Sequence, residues 1–256
     1  MYINIFEVSS MPPVITESTA LEQPAPEARR ALVDIGLVLA ASALAFAAED
    51  LANAREWLSV GPEYRGLSAV LAGAVTAVAV VLVRGGSLAD LGFKRPKRWA
   101  LVPVQVVTIL VAFVAMQTLT PLLVSTFVTV PEPDLSRYDA LAGNLGAALA
   151  LALLLPFSAA IPEEIIYRGF LLGRLSSLFR QGRSGAVLAV CVQGLMFGAV
   201  HYQWGPGGML VMVVMGIVWG SAYLLCDRNL WVVIAAHSAG HLLGVLQLYL
   251  GGSIII

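Results

Sequence analysis

The chain divides into seven runs of apolar residues, each close to the length one helix needs to cross a bilayer. A hydrocarbon core about 30 Å thick takes around 20 residues in helical form. In lipid every backbone N–H and C=O must be paired within the protein, which restricts spanning structures to helices and closed barrels. On that ruler the spans run over approximately 31–48, 67–83, 100–123, 141–161, 185–201, 208–226 and 230–250. The third is interrupted by Pro121 and is expected to kink or end early, and a different partition admits an eighth span. Composition agrees: with 59% hydrophobic and 12% charged residues, the 256 residues carry more apolar surface than one soluble domain of that length buries. The expected fold is all-α, a polytopic transmembrane helix bundle of about seven spans.

The charges give that bundle a direction. Lysine and arginine accumulate in cytoplasmic loops. If the N-terminus is cytoplasmic, Arg29, Arg30, Arg84, Lys94, Arg95, Lys97, Arg98, Arg168, Arg174, Arg180, Arg183 and Arg228 fall inside, and only Arg55, Arg65 and Arg137 fall outside. The outer loops are acidic, with Glu49, Asp50, Glu56, Glu63, Glu132, Asp134 and Asp139. The expectation is a multi-pass protein of the cell (plasma or inner) membrane with its N-terminus in the cytoplasm. Residues 1–30 contain Pro12, Pro13, Pro24 and Pro26 and lack the basic start and apolar centre of a secretion signal. They read as a flexible cytoplasmic tail ahead of a bundle over 31–256. The net charge of -1 hides this asymmetry and as a bare total says nothing about partners; no nucleic-acid partner is expected. Cys191 and Cys226 both lie in apolar segments and read as small hydrophobic side chains, with neither a disulfide framework nor a metal knuckle.

Glycines recur at four-residue spacing in the C-terminal half, at Gly194 and Gly198, Gly216 and Gly220, and Gly240 and Gly244. Each pair places small side chains on one helical face, so neighbouring backbones can approach closely. No internal repeat is visible, which weakens a transporter reading.

Ionisable side chains at membrane depth cost roughly 2.5 to 3.5 kcal/mol each on insertion scales, so the few present are the best candidates for chemistry. They fall in three stretches. The first is Pro162-Glu163-Glu164-Ile165-Ile166-Tyr167-Arg168-Gly169 at the edge of the fourth span. Proline there suggests the first turn of a helix, whose dipole favours the two carboxylates. Glu164 and Arg168 are one turn apart and can pair, leaving Glu163 on another face; the bland alternative is a solvated ion pair at a helix start. The second stretch, Phe197-Gly198-Ala199-Val200-His201, ends a span, where a histidine is as readily an interfacial residue. The third, Ala235-Ala236-His237-Ser238-Ala239-Gly240-His241, puts two histidines on one face of one helix. Such a pair can ligate a metal, bind a developing oxyanion or hydrogen-bond neighbouring helices.

In this order the three stretches, Glu-Glu-x-x-x-Arg, Phe-x-x-x-His and His-x-x-x-polar, resemble the CPBP family of intramembrane proteases, also called Abi. That family includes type II CAAX prenyl proteases and bacterial proteins of bacteriocin self-immunity. The resemblance covers about 141–250, the expected catalytic core. Weaker echoes of the family are Leu88-Ala89-Asp90-Leu91-Gly92-Phe93-Lys94-Arg95, and Gly216, Gly220 and Tyr223 with Arg228-Asn229-Leu230-Trp231.

The resemblance implies an intramembrane endopeptidase in which Glu163 activates a water, Glu164 and Arg168 support it, His201 holds the water, and His237 and position 241 face the scissile carbonyl. Many members carry asparagine where this chain has His241. Glu163, His201, His237 and His241 can supply a three-histidine, one-carboxylate zinc set, while a glutamate mechanism needs no cofactor. Expected partners are membrane lipids and a membrane-associated or lipidated peptide, with hydrolysis on the cytoplasmic side. The rival expectation is a non-catalytic immunity or scaffold protein that binds a partner's transmembrane helix. Oligomeric state leaves no trace in the sequence.

Overall fold

The computed structural model describes residues 26–127, 129, 131–179 and 182–251. Within them the chain is helical, with no strand. Seven long helices follow one another: α1 (Pro26–Ala54), α2 (Leu67–Val83), α3 (Val102–Val124), α4 (Leu145–Leu178), α5 (Arg183–Ala199), α6 (Gly205–Leu225) and α7 (Leu230–Tyr249). Six are long and apolar enough to cross a membrane, α2 when counted from the helical turn that begins at Pro62, and α5 is a shorter apolar helix. Large apolar side chains such as Leu44, Val75, Val111 and Leu153 face outward, as lipid contact requires. The protein is an all-α, multi-pass membrane protein. The expected tail lies outside the described residues as far as residue 25, and Arg180 does as well. Helix α1 already begins at Pro26, and α3 continues through Pro121 to Val124.

Helix α4 differs most from the sequence reading. Asn144 caps its start, its side-chain oxygen accepting from the Ala147 amide at 3.1 Å. The helix then runs without a break past 161 to Leu178. Pro162 therefore lies in the helix interior and starts nothing, and the dipole argument for the two carboxylates does not apply. The backbone accommodates the ring by widening: Pro156–Ala160 and Ile165–Leu171 are wound as π-helix. A proline in a regular α-helix presses on the carbonyl four residues back, here that of Ser158, and a π turn relieves that crowding. The two π segments bracket Glu163 and Glu164, so the widening falls where the polar side chains project.

Side-chain contacts define the two ends of the bundle. At one end, buried Asp34 of α1 pairs with Arg84 beyond α2 at 2.9 Å and with Arg174 of α4 at 3.1 Å. There too the segment after α2 docks on the turn between α6 and α7: the Leu230 amide donates to Gly92, Asn229 Nδ2 to Lys94 and Tyr223 Oη to Leu91, at 2.9, 2.8 and 3.2 Å. Phe93 and Trp231 meet edge to face at 5.1 Å. The two stretches that weakly echoed a family in the sequence thus form one contact. Ser87 and Asp90 close this segment as a capping box, and the Ser87 amide holds the Asp90 carboxyl below its usual pKa. At the other end, Arg137 bridges three loops, bonding the carbonyls of Pro62 and Arg65 and the side chain of Gln203. The Gly143 amide donates to Tyr249 and the Asp134 amide to Trp204.

Close helix contacts explain two of the three glycine pairs. A Cβ on Gly216 of α6 would lie 2.7 Å from the Cα of Gly194 of α5, and one on Gly198 would strike Val213 and the Met209 carbonyl. Gly220 sits against Gln193. Gly240 and Gly244 of α7 instead line a cavity, where their missing side chains leave room.

Candidate active site

The interior holds a cavity of about 560 Å³ lined by Glu163 of α4, His201 at the end of α5, and His237 and His241 of α7. Four side chains drawn from three distant parts of the sequence share one chamber. Glu164 and Arg168 stand behind its wall, both fully buried. The carboxylates thus face different ways, as their positions on one helix require.

Glu164 is the hub of the buried polar cluster. Its Oε1 accepts from Arg168 Nη1 at 2.7 Å and from His237 Nδ1 at 2.7 Å. A carboxylate that holds Nδ1–H leaves Nε2 of a neutral His237 as the free ring nitrogen, and that atom lies 3.7 Å from Glu163 Oε2. His201 is fixed in the same manner: its Nδ1 lies 2.7 Å from the Phe197 carbonyl, which can only accept, so Nε2 is the free nitrogen. The rings of His237 and His241 stand 4.4 Å apart between centroids. Aromatic contacts lock the frame: Phe197 meets Tyr167 edge to face at 4.9 Å and lies 4.8 Å below the Arg168 guanidinium, and Trp219 stands 6.0 Å from His237.

Several lining residues gave no signal in the sequence. Trp219, Tyr138 and Trp204 line the chamber, and Trp219 Nε1 and His241 Nδ1 are buried N atoms with no partner. Aromatic residues in apolar spans look like ordinary packing until the chamber brings them beside the histidines. Tyr138 lies in the loop before α4, and burial pushes its phenol above the usual range, so it stays protonated.

The four candidate zinc ligands share the chamber but do not form a ready donor set: among the described residues, no group of three or more His, Cys, Asp or Glu side chains is disposed to hold a metal ion. Two of the imidazoles hydrogen-bond Phe197 and Glu164 through Nδ1 and keep Nε2 free. The residues as placed do not fit a tetrahedral zinc, which wants ligand atoms converging at about 2.0 to 2.2 Å.

Comparison with known proteins bears on this part of the molecule. Residues 145–243 match the family model described as Type II CAAX prenyl endopeptidase Rce1-like, less than half of the chain. No curated protein and no solved structure matches. The matched segment starts at the first residue of α4, ends within α7 and includes all six polar candidates, so it is through this core that the chain matches the CPBP family of type II CAAX prenyl endopeptidases.

Proposed function

We propose that the protein is an intramembrane endopeptidase that hydrolyses a peptide bond of a membrane-associated or lipidated protein, with Glu163 activating the water. The observation that carries this reading is the shared chamber: one carboxylate and three imidazoles line a single cavity in a membrane-embedded bundle.

The chemistry follows from the partners. Water bound between Glu163 and the free Nε2 of His201 gives its proton to the Glu163 carboxylate, a general base sheltered from bulk water. The hydroxide adds to the scissile carbonyl, and negative charge moves to the carbonyl oxygen. His237 can take the proton from Glu163 across the 3.7 Å gap. The resulting imidazolium is stabilised by Glu164, as a carboxylate orients and stabilises imidazolium in other hydrolases. It then donates to the oxyanion and afterwards to the departing amine as the C–N bond breaks, while His241 offers a second donor beside the oxyanion. Arg168 pairs with Glu164 at 2.7 Å and holds it in place. No step passes through a metal.

The test is to compare new protein N-termini in membranes containing wild type and the Glu163→Gln variant. Cleavages present only with wild type are expected, with the variant inserted at equal level. An identical set of termini from both would remove the proteolytic reading and favour the immunity or scaffold role.

A further inference from the structure

Among the connections between helices, those that line the chamber all lie at one end of the bundle. Its rim is drawn from the connection between α1 and α2 (Glu63, Arg65), that between α3 and α4 (Arg137, Tyr138) and that between α5 and α6 (Tyr202, Trp204). In a chain of seven alternating helices these three connections share one face, and the Arg137 contacts tie them together there. Among the described residues, nothing from the connections at the opposite end lines the chamber. That end is sealed instead, with Gly169 of α4 packed on the Leu91 carbonyl and Tyr223 bonded to it.

Depth agrees. Gly73 lies six residues into α2 and packs on Ile166, three residues from Glu163. At about 1.5 Å per residue this puts Ile166 about 9 Å below the rim end of α2 and about 15 Å from its other end, with Glu163 about one helical turn nearer the rim along α4.

The sealed end carries the basic residues. Arg29, Arg30, Arg84, Arg174 and Arg183 lie there with the Lys94 to Arg98 segment and Arg228, whereas the rim end has Arg55, Arg65 and Arg137 amid seven acidic side chains. Arg168 leaves that count, being buried beside the chamber. The asymmetry survives without it and places the sealed end in the cytoplasm.

We infer that the chamber is entered from the non-cytoplasmic face, and that its substrate is a membrane-anchored polypeptide cut a short way inside the outer leaflet. This reverses the cytoplasmic side expected from the sequence, where Glu163 followed a span ending at 161. The continuation of α4 to Leu178 moves Glu163 back into the membrane. The apolar wall from α1 and α4, including Leu39, Phe46, Leu151 and Leu155, suits a hydrophobic segment entering with the scissile bond. The substrate side rests on the proteolytic reading; the orientation does not.

The experiment separates the two. Full-length protein carrying Tyr202→Cys at the rim or Lys97→Cys at the sealed end is treated with a membrane-impermeant maleimide in intact cells and in inverted vesicles, against a wild-type background that retains the half-buried Cys191 and Cys226. Ser136→Cys replaces Tyr202→Cys if the latter fails to insert. Near-complete labelling of the rim variant and none of Lys97→Cys in intact cells, exchanged in inverted vesicles, is the expected result; the opposite pattern overturns the inference. The termini that depend on Glu163 should map to the non-cytoplasmic flank of their substrates, and cytoplasmic termini would overturn it equally. Rim labelling from outside with termini unaffected by Glu163→Gln keeps the orientation and defeats the protease.

Discussion

Glu163 and Glu164 are neighbours in the chain with opposite duties. Glu164 sits among charges with no solvent, between Arg168 and His237. Breaking a buried ion pair from one side leaves the other charge uncompensated and costs about 3 to 5 kcal/mol. Glu164→Gln should therefore lower the unfolding free energy of the purified protein by an amount of that order, whereas Glu163→Gln, with no ion-pair partner closer than 3.7 Å, should stay within about 1 kcal/mol of wild type. Thermal unfolding in detergent compares them; equal losses would contradict the division of roles. The imidazoles lead to a second expectation. Since no three donors among the described residues converge on one point, activity dependent on Glu163 should persist after dialysis against a strong zinc chelator, with substoichiometric zinc by elemental analysis. Loss of activity restored by zinc would show that the rings regroup around a metal.

Among the elements, α5 and α6 are held by backbone contact, and α5 carries Phe197 and His201. Gly216→Ala puts a methyl group 2.7 Å from the Gly194 Cα, a contact no rotamer can relieve. Overpacking of this kind typically costs 1 to 3 kcal/mol, and because it displaces α5 it should reduce the proposed proteolysis at least tenfold. Gly173→Ala on α4 meets nothing within 4 Å and is neutral or stabilising; unfolding midpoints and cleavage yields of both variants check the pair. The segment 87–93 supplies a pH-dependent element. A carboxyl whose pKa is lowered by folding contributes stability above its unfolded pKa, and the contribution is lost as pH falls through the folded value. For Asp90 the unfolded reference is 3.8 and the folded value lies below it. The protection factors of the Leu91 and Gly92 amides, that is, exchange corrected for its intrinsic rate at each pH, should be level above about pH 5 and fall below about pH 4. Asp90→Asn should remove that step.

For the molecule as a whole, what was legible in the sequence depended on how far the signal had to travel. Lipid demands long apolar helices from any chain that crosses it, so the seven runs revealed the bundle, and the 67–83 span coincides with α2. The polar candidates stood out because charge in lipid is costly wherever it points. The end of α4 was hidden because Pro162 is an ordinary helix starter unless a π turn receives it, and nothing in the local sequence announces that turn. Trp219 and Gln193 were equally silent in the sequence, yet one lines the chamber and the other lies fully buried against Gly220. By itself the sequence determined that this is a membrane helix bundle with a small set of chemically capable side chains, because span length and polarity are properties of each segment alone. Which carboxylate faces the chamber, which imidazole is bound by Glu164, and which end of the bundle supplies the chamber's rim were decided only in the tertiary structure. Those depend on the rotation and depth of each helix against its neighbours, and such registers are set by packing between segments far apart in the chain.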